Sequence, residues 1–331
     1  MANGSQPLLE VDDLRVEFRS GRETVHAVNG ATFRVLSGET AAVLGESGSG
    51  KSVTASAVMR LLQIPPARIA GGQVRFKGGD VLDMPIEEWR RRCGPEIAMV
   101  FQDALASLNP VFSVGWQIGE LFRVHEDIGR KQAEARAVEL LARVGIPDPH
   151  NRAHDYPHQF SGGMRQRVMI AMAIALGPEL LIADEPTTAL DVTVQAQIME
   201  LLQDLQREIG MAIVLITHDL GVVADVADRV AVMYAGRVVE SGAVREVLRR
   251  PAHPYTLALL DSIPNAHNDD EKLRPILGSP PDMASVPLGC AFHPRCRFAT
   301  EKCRTQAPPT VAVDVDRLAE CHHAESVFNG V

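Results

Sequence analysis

Hydrophobic and polar residues follow two different periods along the chain, which predicts strands interleaved with helices. Alternating positions or short apolar runs mark predicted strands at 8–11, 14–18, 31–35, 40–44, 180–183 and 212–217, with a hairpin over 230–240. Helical spacing dominates from 86 to 177, and long helices are predicted at 130–144, 163–176 and 192–209. Strands that alternate with helices around glycine loops are typical of an α/β fold with a mostly parallel sheet.

The composition changes near residue 250. Ten prolines fall in the last 81 residues, and helical periodicity there is brief. The chain of 331 residues also exceeds the roughly 250–300 residues at which one hydrophobic core usually stops growing. We therefore predict a large domain over 1–250 and an appended C-terminal element over 251–331.

The charge balance limits the classes of partner. The 33 Lys and Arg against 42 Asp and Glu give a formal charge of −9, which argues against nucleic-acid binding because that needs clustered basic residues. No apolar run reaches the roughly 18–20 residues that span a bilayer. Residues 1–13 also lack the basic and apolar regions of a signal peptide. A cytoplasmic protein is therefore expected.

A glycine-rich loop follows the predicted strand 40–44. Its sequence fits G-x-x-x-x-G-K-[ST] at every position: Gly45-Glu46-Ser47-Gly48-Ser49-Gly50-Lys51-Ser52. Glycines let consecutive backbone N–H groups point inward, and the following helix presents its positive end to the same spot. Lys51 is expected to contact the β- and γ-phosphates of a nucleotide, and the Ser52 hydroxyl to ligate Mg²⁺.

Two acids end the apolar strand at 180–183. Asp184 is expected to hold Mg²⁺ through water, because Mg²⁺ keeps several waters in proteins. Glu185 is expected to polarise the attacking water. With the phosphate loop, these residues predict a nucleoside triphosphatase.

The segment Phe160-Ser161-Gly162-Gly163-Met164, together with these two motifs, resembles the signature of ABC transporter nucleotide-binding subunits. It departs from the LSGGQ consensus at its first and last positions. Further positions match that family in order, namely Phe18 (A-loop), Gln102 (Q-loop), Asp191 in Ala189-Leu190-Asp191 (D-loop) and His218 (switch histidine). The resemblance covers residues 8–250. It implies a P-loop NTPase fold with a RecA-like core, an antiparallel β subdomain and a helical subdomain at about 103–178.

The resemblance also implies roles for these residues. Ser161, Gly162 and Gly163 would receive the γ-phosphate of an ATP held by a partner subunit, which implies a dimer with sandwiched ATP. His218 would contact the γ-phosphate. Gln102 would sense Mg²⁺ and the attacking water and link to the membrane subunit. Phe18 would offer a ring face to adenine, with a core aromatic as the alternative.

The C-terminal segment carries a second resemblance. His253-Pro254-Tyr255 and the cysteines behind it resemble the C-terminal extension of oligopeptide and dipeptide importer ATPases over about 251–323. This implies that the transported solute is a peptide, with nickel and glutathione importers as close relatives.

Four cysteines fall in this segment with the spacing C-x₅-C-x₆-C-x₁₇-C: Cys290, Cys296, Cys303 and Cys321. A cytoplasmic chain is not expected to hold stable disulfides, and thiolates favour Zn²⁺ or an iron–sulfur cluster. Some members of the resembled family carry a [4Fe–4S] cluster on such cysteines. The cluster is therefore expected, with Zn²⁺ and reduced structural thiols as alternatives.

These observations predict an ATP-hydrolysing subunit that energises a di- or oligopeptide importer. The resemblance implies two transmembrane permease subunits, a sister ATPase and an extracytoplasmic peptide-binding protein, with this chain peripheral at the cytoplasmic face of the inner membrane. One alternative is a soluble ABC ATPase without a permease, although such proteins usually carry two ATPase halves or long coiled-coil inserts. A regulatory subunit without catalysis would be expected to lack Lys51, Glu185 or His218, and all three are present.

Overall fold

The computed structural model describes residues 6–21, 23–188, 190–262 and 275–330. They belong to two compact units: residues 1–35, 40–82 and 217–331 form the first, and residues 36–39 and 83–216 form the second. Ala189, part of the predicted D-loop, lies outside the described residues. Within the described ranges, no helix has both the length and the apolar character needed to cross a membrane.

The strands are β1 Leu9–Ser20, β2 Glu23–Val35, β3 Thr40–Leu44, β4 Ala67–Phe76, β5 Gly79–Asp80, β6 Ile97–Val100, β7 Leu180–Asp184, β8 Ala212–Thr217, β9 Arg229–Tyr234, β10 Arg237–Ala243, β11 Thr310–Asp314 and β12 Arg317–Glu320. The helices are α1 Lys51–Val58, α2 Ile86–Arg92, α3 Ala104–Ser107, α4 Val114–His125, α5 Arg130–Arg143, α6 Pro149–Arg152, α7 Gly162–Ile174, α8 Val192–Ile209, α9 Leu220–Val226, α10 Val244–Arg249, α11 Pro254–Asp261, α12 Glu301–Thr305 and α13 Ala324–Phe328. Short 3₁₀ turns cover Pro157–Gln159 and His293–Arg295.

The first unit contains two groups of paired strands. One is antiparallel with the order β2-β1-β4-β5. In the other, β3 pairs in parallel with β9, and β9, β10, β12 and β11 continue in antiparallel order. Every residue of β3 is buried, as expected for an apolar strand covered on both faces.

The second unit contains the parallel strands β6, β7 and β8 in the order β6-β7-β8. The helices α3 to α7 precede β7 in the chain, and α8 connects β7 to β8. Asp191 caps the N-terminus of α8, and Gly210 ends it with a left-handed backbone at φ 77°, which glycine adopts without the steric cost of a Cβ atom.

One part of the predicted secondary structure was wrong. The region 86–177 contains the strand β6, because a buried four-residue apolar run can pair in a sheet whatever its helical surroundings. For the C-terminal segment no strand was predicted or excluded, and the structure places there the hairpin β11–β12, which pairs with β10. The long predicted helices and the strands 40–44, 180–183 and 212–217 are confirmed to within one or two residues at each end.

The C-terminal residues share a hydrophobic core with the strands of the first unit. Tyr255 and Phe292 belong to the same buried cluster as Leu44 of β3 and Val232 of β9. A domain boundary near residue 250 stays a prediction.

Candidate nucleotide site and cysteine cavity

The glycine-rich loop lies between β3 and α1, with backbone passing close to it. A Cβ atom on Gly45 would lie 2.2 Å from the Met233 carbonyl oxygen, and one on Gly50 would lie 2.4 Å from the Ala27 carbonyl oxygen. Gly50 also has a left-handed backbone at φ 100°. Larger residues would therefore push the loop away from the strands that support it.

Polar groups of this loop are arranged for an anion. The buried Lys51 side chain donates through Nζ to the carbonyl oxygens of Gly45 (2.8 Å) and Glu46 (3.0 Å). The buried Ser49 hydroxyl has no hydrogen-bond partner among the described residues. A buried polar group without a partner is costly, so the loop fits a ligand with oxygen acceptors. Ser47 and Gly48 are exposed, and Ser52 lies in the first turn of α1.

Two further predicted residues lie in the first unit. Phe18 is half-buried near the end of β1, where it pairs with Val25 of β2 and Ala67 of β4. His218 is exposed between β8 and α9. Its neighbour Asp219 caps α9 by accepting hydrogen bonds from two backbone N–H groups. The predicted adenine and γ-phosphate contacts of Phe18 and His218 stay predictions.

The second unit holds both predicted acids. Asp184 is buried at the end of β7. Glu185 is also buried and has φ 45°, a left-handed conformation that is strained for a residue with a Cβ atom. Its N–H donates to the Ile216 carbonyl oxygen at 2.9 Å, which keeps the residue against the end of β8.

The Glu185 carboxylate is held by two side chains. Its Oε2 accepts from Nε2 of Gln102 at 3.2 Å and from Oγ1 of Thr188 at 2.8 Å. The structure therefore brings together Gln102 and Glu185, which lie 83 residues apart in sequence. Thr188 was missed by the sequence analysis, although its position three residues after Glu185 made it a candidate.

The remaining predicted residues of the second unit lie at helix N-termini. Ser161 caps α7 by accepting from the Met164 N–H at 3.3 Å. A Cβ atom on Gly163 would lie 2.7 Å from Cγ1 of Val194, so only glycine fits there without a shift. Asp191 accepts from the Val194 N–H at 3.0 Å and caps α8.

The four cysteines line one small cavity. Side chains of His253, His293, His322 and His323 line it as well. All four cysteines are free thiols, and burial raises the pKa of Cys290 to about 11 and of Cys321 to about 12. His253 is buried, its ring Nδ1 accepts from the Tyr255 N–H, and its Nε2 has no hydrogen-bond partner among the described residues.

The soft thiol donors and the unpartnered His253 nitrogen fit a metal centre by their chemistry. However, in the described part of the chain no group of three or more His, Cys, Asp or Glu side chains is placed as a metal site. The predicted [4Fe–4S] cluster is therefore not confirmed.

Two family models match the chain. The model described as "ABC transporter" matches residues 28–188, and the one described as "Oligopeptide/dipeptide transporter, C-terminal region" matches residues 239–303. A putative peptide import ATP-binding protein of Brucella melitensis is 51% identical over 96% of this chain and 97% of its own length. The oligopeptide transport protein OppD of Bacillus subtilis is 51% identical (96% and 88%), and the dipeptide transport protein DppD of Escherichia coli is 48% identical (96% and 96%).

Solved structures of ATP-binding cassettes are similar in fold. The dimeric cassette MJ0796 bound to ADP and Pi has a TM-score of 0.64 and 27% identity, over 72% of this chain and 99% of its own. The protein cbiO1 of Clostridium perfringens, part of the transporter complex cbiONQ, has a TM-score of 0.62 and 29% identity, over 74% and 92%. The predicted ABC ATPase fold is confirmed.

Proposed function

The chain belongs to the ATP-binding subunits of peptide-importing ABC transporters, and on this premise we propose that it hydrolyses ATP to drive the uptake of di- or oligopeptides. The observation that carries the proposal is that one chain combines a complete phosphate loop with the C-terminal region of peptide transporters. Its relatives in Bacillus subtilis and Escherichia coli are named for the transport of oligopeptides and dipeptides, which favours peptides over nickel or glutathione.

The phosphate loop and Lys51 bind the phosphates of ATP in this proposal. The N–H groups of the loop and the positive end of α1 stabilise the negative charge, and the unpartnered Ser49 hydroxyl supplies one more donor. Ser52, Asp184 and Gln102 hold Mg²⁺, which when bound neutralises charge on the phosphate oxygens. Phe18 contacts adenine.

Glu185 orients the attacking water and accepts its proton. Its carboxylate is preorganised, because hydrogen bonds from Gln102 and Thr188 fix it in one orientation. Its backbone is held as well, because its N–H donates to the Ile216 carbonyl oxygen near the C-terminal end of β8. Positioning of this kind supplies most of the catalysis in phosphoryl transfer. His218 contacts the γ-phosphate and helps to hold the water.

A second ATPase subunit completes the site. Ser161, Gly162 and Gly163 form the N-terminus of α7, and backbone N–H groups at the start of a helix can bind a phosphate. In this proposal they bind the ATP of the partner subunit, with Asp191 at the same interface. We infer a heterodimer with a sister ATPase, two permease subunits that place the chain at the cytoplasmic face of the inner membrane, and an extracytoplasmic peptide-binding protein.

The four cysteines are proposed to hold a metal centre, as a [4Fe–4S] cluster rather than Zn²⁺. All four thiols face one cavity, and thiolates are the usual ligands of such clusters. The centre would act as a cross-link in a proline-rich segment that has little core of its own.

Uptake in intact cells tests the proposed substrate. The gene is deleted in its host and then restored with the wild-type copy, and uptake of a labelled dipeptide, a labelled tetrapeptide, ⁶³Ni²⁺ and labelled glutathione is measured. We expect loss and restoration of peptide uptake alone. Loss of nickel or glutathione uptake with unchanged peptide uptake would contradict the assignment.

A further inference from the structure

The second residue of the phosphate loop is acidic. Glu46 would place a carboxylate beside a bound polyphosphate, and like charges at close range weaken binding. An acid at this position therefore needs a compensating cation. In the described part of the chain, a cation of the C-terminal region contacts this carboxylate.

Arg295 of the C-terminal region forms a bidentate ion pair with Glu46. Its Nη1 lies 2.6 Å from Oε2 and its Nη2 lies 3.0 Å from Oε1. The Arg295 side chain is only 4% exposed, and its Nε donates to the Leu277 carbonyl oxygen at 3.1 Å. The Glu46 side chain is partly buried, at 27% exposed, and a bidentate, charge-assisted pair of this kind is strong and fixed in direction.

The Tyr255 hydroxyl holds the backbone of the same loop residue, Glu46. The Glu46 N–H donates to the Tyr255 hydroxyl at 2.9 Å, and the Tyr255 ring is fully buried. Its ring packs against Tyr234 and Phe292, with centroid separations of 4.6 Å and 5.4 Å. The hydroxyl is therefore fixed in position by an aromatic cluster.

We propose that Arg295 and Tyr255 are positioning residues for ATP binding, which act by neutralising and orienting Glu46 of the phosphate loop. Glu46 is held at its carboxylate by Arg295, at its N–H by Tyr255 and at its carbonyl oxygen by Lys51. The C-terminal region thereby sets the affinity of a nucleotide site that lies about 250 residues earlier in the chain. This inference rests on the proposed ATP-binding function.

The test uses the full-length chain and measures both MgATP affinity and steady-state hydrolysis. We expect Arg295→Ala to raise the Kd and KM for MgATP about tenfold or more, the size of effect expected when a charge-assisted contact is lost, with kcat within about threefold of wild type. Tyr255→Phe keeps the ring and removes the acceptor of the Glu46 N–H, so a smaller rise in KM of about threefold to tenfold is expected.

A second substitution separates the charge effect from a general loss of structure. Glu46→Gln in the Arg295→Ala background removes the uncompensated charge and should return the KM to within about threefold of wild type. The control is Arg297→Ala, whose guanidinium is half exposed and pairs with Asp261, and no change in KM is expected.

An unchanged KM in Arg295→Ala would overturn the inference, as would a double variant no better than Arg295→Ala. If Arg295→Ala does not fold, Arg295→Lys replaces it, and its loss of the two-pronged geometry should still raise the KM. Failure of the wild type to bind MgATP would refute the proposed function itself, whereas tight wild-type binding with unchanged variants would refute only the role of Arg295 and Tyr255.

Discussion

The buried ion pair between Glu240 and Arg317 offers a sharp test of how the C-terminal hairpin is held to the ATPase strands. Glu240 lies on β10 and Arg317 on β12, and their side chains are 0% and 3% exposed. Oε1 of Glu240 accepts from Arg317 Nη2 (2.7 Å) and from the Ala252 N–H (2.8 Å), while Oε2 accepts from the His253 N–H (3.0 Å). Three donors therefore converge on one carboxylate.

The substitution Glu240→Gln keeps the shape of the side chain and removes its charge. The carboxylate accepts hydrogen bonds at both oxygens, whereas the Gln amide has a single oxygen. Its amide nitrogen would therefore face an N–H donor, and the Arg317 charge would be buried without a counter-ion. Breaking a buried pair in this way costs about 3–5 kcal/mol. At about 2–4 °C per kcal/mol for a unit of this size, the melting temperature should fall by about 6–20 °C.

The assay is thermal unfolding followed by circular dichroism, with amide exchange of residues 310–320 as the local probe. In Glu240→Gln, amide exchange should become faster in the hairpin than in the strands of the second unit, because the lost contacts lie in the first unit. Asp13→Asn, which removes an exposed ion pair with Arg15, is the control and should change the melting temperature by less than about 2 °C. A fall of less than about 2 °C in the melting temperature of Glu240→Gln would refute the reasoning.

Three further changes probe the catalytic and cysteine sites. Lys51→Ala should weaken MgATP binding at least tenfold in a direct titration, because a buried cation of the phosphate loop is lost; unchanged binding would contradict its role. Thr188→Val should lower kcat about tenfold and leave KM within about threefold of wild type, since Glu185 loses a 2.8 Å hydrogen bond. Thr188→Ser keeps the hydroxyl and should retain most of the activity. Cys303→Ser should reduce the iron content of anaerobically purified protein from about four atoms per chain to less than one. Cys93 does not line the cavity, so Cys93→Ser should keep its iron. Equal iron content in the two variants would contradict the cysteine site.

Much of the nucleotide site could be predicted from sequence because its motifs are local. The phosphate loop needs glycines and a lysine at fixed spacing between a strand and a helix, and all of these lie within about 20 residues. The same holds for Asp184, which ends a strand whose five residues are all buried, and for Glu185, which follows it directly. Such patterns depend on backbone geometry that neighbouring residues impose.

Contacts between distant segments could not be predicted in this way. Arg295 and Glu46 lie 249 residues apart, and nothing in the local pattern around either residue indicates the other. Strand β6 was missed for a related reason, since its conformation is decided by pairing with β7, 83 residues later in the chain (Ile97 with Leu180). The four cysteines were recognised as a group, yet their convergence on His253 depends on packing that the spacing does not encode.

The central claim is that hydrolysis of ATP by this chain powers peptide uptake. The most direct measurement compares labelled dipeptide uptake in cells whose own copy is replaced by wild type or by Glu185→Gln, with MgATP binding and hydrolysis measured on the purified proteins. The account predicts that Glu185→Gln binds MgATP within about threefold of wild type, hydrolyses it at least a hundredfold more slowly and supports no uptake above the deletion strain. Wild-type uptake by cells that carry only the Glu185→Gln protein would contradict it.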